Sequence, residues 1–156
     1  MFDHAEEHVD DGMVVLQANI DDMNPEYCSH VSDLLFERGA NDVYWIPIVM
    51  KKGRPGLMLN VLAAKTKLDE MKRIIFQETT TLGIRYWDAS CHRLGRKKVP
   101  VETPWGQIHI KVGILNGEVV QAAPEFSECE AAAKTYQVPL KTVYQTVLNE
   151  YYGFKK

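Results

Sequence analysis

The sequence predicts an α+β protein in which a β-α-β-β-α-β segment is followed by β-hairpins and a C-terminal pair of helices. Short β-rich runs alternate with two stretches of helical apolar spacing between Val14 and Cys91. Further on, apolar residues first alternate with the period of strands and then return to the helical period. The chain has 156 residues, of which 46% are hydrophobic and 25% charged, so it can bury a core without disulfides.

The first two strands and the first helix follow from β-rich runs and from the residues that end each element. Val14–Ile20 is rich in β-branched and apolar residues and predicts a strand. Helical spacing follows and stops before Gly39, a residue well suited to the position after a helix. Asp42–Met50 predicts a second strand before a turn at Lys51–Gly56. Pro47 places that strand at a sheet edge, because proline cannot donate to the ladder.

The second half of this segment completes a known supersecondary order. Leu57–Ala64 predicts a third strand, a helix runs from Leu68 to about Thr79, and Gly83–Cys91 predicts a fourth strand. The β-α-β-β-α-β order is that of the ferredoxin-like fold. We therefore expect a four-stranded antiparallel sheet with both helices on one face, and with a strand between the first two strands of the chain.

Residues 97–156 are predicted to form a β-hairpin and two-helix extension that packs on a ferredoxin-like domain of residues 14–96. Asn116–Gly117, between alternating runs, is a strong signal for a type I′ hairpin turn. Ser127–Glu130 has the pattern of a capping box and predicts the start of a helix. A further apolar stripe over Leu140–Tyr151 has helical spacing and predicts the second helix.

Residues 1–13 are predicted to be an acidic, frayed leader, because they carry few apolar side chains. His4 and His8 lie four residues apart among acidic side chains in this leader. That arrangement suits either a divalent-cation site or a solvated tail.

The composition excludes several classes of protein. A formal net charge of -3 gives no overall basic field that would recruit nucleic acid. The longest apolar runs, such as Val14–Leu16, are far shorter than the ~20 residues of a membrane-spanning helix, so no membrane partner is expected. Cys28, Cys91 and Cys129 are widely spaced and form no CxxC pair, which fits a reducing cytoplasm better than a disulfide scaffold or a cysteine zinc site.

The predicted topology brings three polar connections to one end of the sheet: Asp21–Asn24, Lys51–Gly56 and Glu78–Gly83. Carboxylates suit a hard cation such as Mg²⁺ or Mn²⁺, whereas lysine and arginine neutralise phosphate charge. The helix after the first strand should also point its N-terminus there, which favours an anion. The sequence therefore predicts a metal–polyphosphate site, although no Walker motif occurs. Its candidate residues are Asp21, Asp22, Lys51, Lys52, Arg54, Thr79, Thr80 and Thr81.

Each of these segments also has a purely structural interpretation. Asp22 or Asn24 can cap the helix that follows, with Pro25 in its first turn. Lysine, glycine and proline are common in solvated hairpin turns, and threonines can simply lead into the fourth strand. The convergence of all three connections is what favours the functional interpretation.

Several segments, in order along the chain, resemble the LarC family, the nickel-insertion proteins of nickel-pincer cofactor biosynthesis. They are Asn19–Glu26, Met50–Gly56, Glu78–Arg85, Val101–Gly106 and Ala123–Phe126. The resemblance runs from about Val14 to Tyr152 and corresponds to the C-terminal half of such proteins. The chain is therefore expected to be a fragment, or a separately encoded part that works with an N-terminal LarC half.

The resemblance implies a ferredoxin-like domain that binds CTP with Mn²⁺ or Mg²⁺ and assembles as a homo-oligomer, a trimer or a hexamer. It implies a CTP-dependent nickel chelatase of the lyase type. The substrates would be nickel and pyridinium-3,5-bisthiocarboxylic acid mononucleotide, which are joined through one carbon–nickel and two sulfur–nickel bonds. The product would be the nickel-pincer nucleotide cofactor of lactate racemase.

The resemblance also assigns roles to matching positions. Asp21 and Asp22 would hold the divalent cation or act as bases for the ring proton, with Glu78 as a further carboxylate. Glu125 is matched by its motif alone. The side chains expected to bind the nucleotide are Lys51, Lys52, Arg54, Thr79, Thr80, Thr81 and Arg85.

Two other functions remain open. A ferredoxin-like domain can bind a small regulatory ligand and assemble subunits. The last two helices, with Gln137 near the usual turn glycine, resemble a helix-turn-helix. Lys141 and the terminal Lys155–Lys156 are the few bases there, so simple packing of two helices is favoured over DNA binding. Mg²⁺-dependent CTP binding and salt-sensitive duplex binding would separate these functions.

Overall fold

The structure, a computed structural model, describes residues 5–153 and divides the chain into two compact units. One unit is Asp10–Cys91, and the other is the chain from His92 onward together with the segment before Asp10. Each unit has its own hydrophobic core. His4, Lys155 and Lys156 lie outside the described residues.

The Asp10–Cys91 unit has the predicted β-α-β-β-α-β order. Its strands are β1 (His8–Ile20), β2 (Ala40–Val49), β3 (Pro55–Ala64) and β4 (Arg85–Arg93), and its helices are α1 (Tyr27–Glu37) and α2 (Leu68–Glu78). The sheet order is β2-β3-β1-β4, and β3 pairs antiparallel with both β1 and β2. A strand therefore lies between β1 and β2 as predicted, and β2, which carries Pro47, is an edge strand.

Both helices pack on the same face of this sheet. Alternate residues of β1 and β3 point to that face and meet apolar residues of α1 and α2 in one buried cluster. The cluster consists of Val14, Leu16, Ala18, Val31, Leu35, Leu59, Val61, Ala63, Met71, Ile74 and Ile75. The intervening residues of β1 belong to the opposite face, where Gln17 Nε2 donates to Asn60 Oδ1 at 2.9 Å.

The predicted leader is wrong for His8–Met13, which belongs to β1. Just before the strand, the Glu7 carboxylate accepts the backbone N–H of Asn116 at 2.7 Å and lies 2.7 Å from His92 Nε2. The Asn116 hydrogen bond is the main reason that the pKa of Glu7 is lowered. Long-range contacts therefore order a segment whose polar composition predicts fraying. Among residues 5–153, no group of three or more histidine, cysteine or acidic side chains is placed to hold a metal.

The second unit is a three-stranded sheet covered by two helices. Strands β5 (Gly95–Thr103), β6 (Gly106–Leu115) and β7 (Glu118–Pro124) pair antiparallel in that order, and α3 (Phe126–Tyr136) and α4 (Leu140–Gly153) follow. Asn116 and Gly117 have φ values of 50° and 82°, as the predicted type I′ turn requires. The second core consists of Val101, Ile108, Ile110, Val112, Cys129, Ala133, Val143, Val147 and Tyr151.

The predicted capping box at Ser127–Glu130 is wrong. α3 begins at Phe126, and Glu125 occupies the N-cap position without a side-chain hydrogen bond. The Glu128 carboxylate instead accepts the backbone N–H of His109 at 2.7 Å and ties α3 to β6. Of the two side chains of the predicted box, Glu130 instead forms an ion pair with Lys134 one helical turn further on.

The helix pair is explained by packing. Gln137 ends α3 in the left-handed conformation with φ 52°, the role that glycine usually fills. Both helices contribute buried side chains to the core with the β5-β6-β7 sheet, which favours the structural interpretation over a helix-turn-helix. Within residues 5–153 no helix has the length and apolar character needed to cross a membrane.

Candidate functional site

The three connections predicted to converge line one cavity of about 580 Å³ in the Asp10–Cys91 unit. Its walls come from the end of β1, from the β2–β3 turn and from the segment between α2 and β4. This volume lies within the range of roughly 300–1,000 Å³ that is usual for small-molecule sites. The predicted site residues that line it are Asp21, Asp22, Lys51, Arg54, Thr80, Thr81 and Arg85.

Asp21 and Arg54 form a long ion pair in the wall of this cavity. The distance from Arg54 Nη1 to Asp21 Oδ2 is 3.5 Å, and the Asp21 side chain is 16% exposed whereas that of Arg54 is 55% exposed. A well-formed charge-assisted hydrogen bond is shorter, about 2.7–2.9 Å. The pair is therefore loose, and either partner can turn to a ligand at little cost.

Asp22 is held by Thr80 and does not cap α1. Its Oδ1 atom accepts a hydrogen bond from Thr80 Oγ1 at 2.5 Å. The N-cap residue of α1 is Glu26, which makes no side-chain cap, while Asn24 Oδ1 accepts the Glu26 N–H at 3.1 Å. The first turn of α1 does not line this cavity, although Pro25 just before the helix lines an adjoining one, so an anion position at that helix N-terminus stays a prediction.

Positive charge exceeds negative charge along the cavity wall. Lys51 and Arg85 line the cavity, and neither forms an ion pair with any residue between 5 and 153. Together with Arg54 they give three cationic side chains against two carboxylates. An anionic ligand can therefore bind without first displacing a carboxylate from Lys51 or Arg85.

Two predicted site residues lie away from the cavity. Lys52 has φ 63° at the exposed tip of the β2–β3 turn and is not among the lining residues. The Glu78 carboxylate lies 3.3 Å from His30 Nε2 on α1 and does not line the cavity either. Lys52 and Glu78 are thus sequence neighbours of the cavity without being part of its wall.

The three threonines have different roles. Thr79 Oγ1 donates to the Ile75 carbonyl at 2.6 Å at the end of α2, and Thr79 does not line the cavity. Thr81 lines the cavity but is buried, and its hydroxyl donates to the Gly83 carbonyl at 3.0 Å. Thr80 is exposed and contacts Asp22. Thr79 and Thr81 therefore shape the loop, and Thr80 is the threonine available to a ligand.

The cavity also contains residues that the sequence did not single out. Asn19 and Gln17 reach it from the face of β1 opposite the core, and Asn19 Oδ1 is buried without a hydrogen-bond partner among the described residues. Strand alternation could have indicated Asn19, because it precedes Asp21 by two residues. Leu82 lines the same cavity with its side chain 100% exposed, and no pattern in the sequence marks it.

An apolar cavity of about 440 Å³ adjoins the polar one and shares Ile20 and Asp21 with it. Its other lining residues are Met23, Pro25, Pro47, Pro55, Gly56 and Leu57. Proline and methionine side chains give a ring-sized apolar surface, and methionine sulfur makes favourable contacts with aromatic rings. Asp21 therefore lines both the polar and the apolar cavity.

Glu125, which the sequence matched by motif alone, lies in the second unit. Its Oε1 atom is 2.9 Å from Lys111 Nζ and 3.7 Å from Lys98 Nζ. The Lys111 hydrogen bond is the main cause of the lowered pKa of Glu125. The negative charge of this carboxylate is therefore paired with one lysine of β5 and one lysine of β6.

The fold and the cavity together define a ferredoxin-like α+β protein with carboxylate and cationic side chains gathered at the loop end of its sheet. The family model described as nickel insertion protein matches residues 1–144. The chain belongs to this nickel insertion protein family.

Curated relatives are similar over most of this chain. A pyridinium-3,5-bisthiocarboxylic acid mononucleotide nickel insertion protein from Thermotoga petrophila is 38% identical over 134 residues, which are 86% of this chain and 34% of that protein. A protein of the same name from Acetivibrio thermocellus is 43% identical over 141 residues, 90% of this chain and 34% of that protein. The chain spans about a third of the length of these relatives.

Solved structures share the fold. LarC2, the C-terminal domain of a cyclometallase involved in synthesis of the NPN cofactor of lactate racemase, matches in its apo form with a TM-score of 0.86 and 34% identity, over 92% of this chain and 98% of that one. A protein from Methanopyrus kandleri matches with a TM-score of 0.67 and 25% identity, over 89% and 87%. The LarC resemblance inferred from motifs is therefore confirmed, and it is to the C-terminal domain.

Proposed function

We propose that this chain binds CTP together with Mn²⁺ or Mg²⁺ in the polar cavity, as the C-terminal part of an enzyme that inserts nickel into pyridinium-3,5-bisthiocarboxylic acid mononucleotide. The observation that carries the proposal is the lining of one cavity by two carboxylates and three cationic side chains, of which Lys51 and Arg85 are unpaired among the described residues. The names of the relatives supply the substrate. Because the chain matches about a third of those relatives, an N-terminal LarC part is included in the proposal.

The cavity residues fit a divalent cation and a triphosphate. Asp21 and Asp22 offer the hard carboxylate oxygens that Mg²⁺ and Mn²⁺ prefer. Arg54 and Arg85 can bind phosphate oxygens in pairs, whereas Lys51 acts as a point charge. Because the Arg54–Asp21 pair is loose at 3.5 Å, Asp21 can turn to the cation while Arg54 turns to phosphate. The adjoining apolar cavity offers a planar ring of the ligands a surface to pack on.

The insertion step requires a base. Cyclometallation replaces a ring C–H bond by a carbon–nickel bond, with nickel as substrate, and the released proton must be accepted. The candidates are Asp21, which lies against the Arg54 guanidinium, and Asp22, which accepts the Thr80 hydroxyl, and the carboxylate that is not bound to the cation would take the proton. Glu78, which lies against His30, is left out of this role.

The proposal extends to the setting of the protein. We place the chain in the cytoplasm, because Cys28, Cys91 and Cys129 are all free, as a reducing compartment would leave them. We also propose a homo-oligomer, a trimer or a hexamer, and a CTP-dependent reaction of the lyase type, as the family resemblance implies.

Isothermal titration of CTP, with and without Mn²⁺, tests the proposed function. Wild-type protein should bind CTP in a Mn²⁺-dependent way, and Arg54→Ala should weaken binding by about one to two decades, the size of one charge-assisted contact of roughly 1.5–3 kcal/mol. Lys52→Ala is the matched control, because it removes the same charge from the same turn but outside the cavity wall.

Two results would contradict the proposal. Wild-type protein that binds no CTP in the presence of Mn²⁺ would rule out the nucleotide site. Equal weakening by Lys52→Ala and Arg54→Ala would show that general charge attraction, and not the cavity, holds the nucleotide.

A further inference from the structure

We infer that Asn19 supplies a neutral oxygen ligand to the divalent cation of the polar cavity, beside Asp21 and Asp22. The inference rests on the proposed function, because it assumes that a cation binds there. It assigns a role to a residue that the motif comparison left without one.

The starting observation is an amide oxygen without a partner. Asn19 Oδ1 is shut off from solvent, and no residue between 5 and 153 donates a hydrogen bond to it. Buried amide oxygens are almost always satisfied, because an unpaired acceptor loses its hydration without compensation. Asn19 lines the cavity, so a turn of its carboxamide would bring this oxygen to a ligand bound there, which would provide that compensation.

Gln17 shows that this part of the sheet can satisfy an amide. It precedes Asn19 by two residues on the same face of β1 and lines the same cavity. Its Nε2 atom donates to Asn60 Oδ1 at 2.9 Å, so its carboxamide is held within the fold. Asn19 therefore differs from its neighbour in having an oxygen that the fold leaves unpaired.

Asn19 is carried by a firmly placed stretch of backbone. It pairs with Met58 of β3, and the next residue, Ile20, pairs with Leu57. The Ile20 carbonyl lies so close to Gly56 that a Cβ atom there would approach it to 2.7 Å. The end of β1, which leads directly into Asp21, is thus fixed against β3.

The chemistry of the cavity points to a cation as the group that Asn19 meets. Lys51, Arg54 and Arg85 line the same cavity, yet none of these donors bonds to Asn19. Amide oxygens are accepted ligands of hard divalent cations, beside carboxylates. The two carboxylates already balance the charge of a divalent cation. A neutral amide oxygen adds a further ligand without changing that balance.

Titration with Mn²⁺ alone, followed by water-proton relaxation, tests the inference on the full chain. Asn19→Leu should weaken Mn²⁺ binding at least about tenfold, while the melting temperature of the metal-free protein stays unchanged or rises, because an unpaired buried oxygen is removed. Asn19→Asp keeps an oxygen at the position and should retain Mn²⁺ binding. Gln17→Leu is the matched control and should lower the melting temperature without changing Mn²⁺ affinity, because it removes the donor to Asn60.

The outcomes separate this inference from the proposed function. Mn²⁺ affinity in Asn19→Leu equal to that of wild type would overturn the role of Asn19 and leave the cation site in place. An Asn19→Leu protein that unfolds, or that melts as low as Gln17→Leu, would show a structural role and would also overturn it. Wild-type protein that binds no Mn²⁺ would remove the cation site itself and this inference with it.

Discussion

The Thr80–Asp22 hydrogen bond illustrates how single side chains divide between holding loops and meeting a ligand. Thr79 and Thr81 donate to backbone carbonyls, whereas Thr80 donates to a carboxylate at the cavity wall. The same division separates Glu78, which lies against His30, from Asp22. The sequence motifs contain all of these residues and do not separate them. The hydrogen bonds of each side chain show whether it supports the loop or lies at the site.

Asp22→Asn separates the charge of this side chain from its hydrogen bond. Asparagine keeps an oxygen that can accept from Thr80, so we expect little change in the melting temperature of the free protein. It removes the negative charge, so the Mn²⁺-dependent part of CTP affinity should fall. Titration of CTP with Mn²⁺ into both proteins measures this, and equal affinities would remove Asp22 from the site.

Gly56→Ala should damage the platform of the site through the backbone. The new Cβ atom would lie 2.7 Å from the Ile20 carbonyl oxygen, so the β1–β3 contact beside Asp21 must shift. We expect a loss of about 1–3 kcal/mol in the free energy of unfolding, the usual cost of overpacking, measured by urea denaturation. Gly12→Ala, where a Cβ would meet nothing within 4 Å, is the control and should be near neutral. Equal stability of the two variants would contradict this account.

The sequence predicted where the site lies in the fold but did not predict which side chains line it. Topology alone brings the connections after β1, between β2 and β3, and after α2 to one end of the sheet. Which of two adjacent lysines lines the cavity depends on a left-handed residue in the turn, where φ 63° carries Lys52 to the tip. A sequence motif does not fix that dihedral angle. Asn19 was missed because an unpaired oxygen is a property of packing.

At the scale of elements, periodicity predicted the strands and helices, and tertiary contacts set some of their ends. The order of the β-α-β-β-α-β segment and the type I′ turn follow from local spacing and turn residues. The starts of β1 and α3 do not, since Glu7 is held by Asn116 and Glu128 by His109, each far away in sequence. Local rules fail where a carboxylate bonds to a distant backbone N–H.

The Glu128 contact gives a prediction of pH dependence. The His109 N–H lowers the pKa of Glu128 below its ordinary value of 4.5. Because the folded-state pKa is the lower one, the stabilisation is present above 4.5 and is lost as the pH falls through the folded-state pKa. Glu128→Gln should therefore lower the free energy of unfolding at neutral pH, and its difference from wild type should shrink in acid.

Urea denaturation at neutral and at acid pH measures this difference. Glu130→Gln on the same helix is the control, because its partner Lys134 forms an exposed ion pair of little expected effect. A Glu128→Gln deficit that stays constant with pH would contradict a contribution from the ionised carboxylate.

At the scale of the whole molecule, the four-stranded sheet has helices on one face. Trp45 of β2 packs against the core and donates its indole N–H to Ser32 Oγ at 2.9 Å. Tyr44 belongs to the opposite face, since it pairs with Asn60, and its side chain is 48% exposed. Trp87 on β4 is 46% exposed, and its neighbour Tyr86 lies under Lys72 of α2. Alternation therefore assigns Trp87 to the face with Tyr44.

Self-association is the prediction that belongs to this scale. Two half-exposed aromatic side chains on the sheet face opposite the helices favour burial against another copy, since exposed apolar surface often marks interfaces. We expect light scattering at micromolar concentration to give three or six times the chain mass of 17.8 kDa, as the family resemblance implies.

Replacing both Tyr44 and Trp87 by glutamate should lower that mass, because charges on the face oppose its burial. Tyr136→Glu, an exposed tyrosine of the second unit, is the matched control and should leave the mass unchanged. A wild-type mass of one chain would contradict self-association, whereas an oligomer unaffected by the double substitution would place the interface elsewhere.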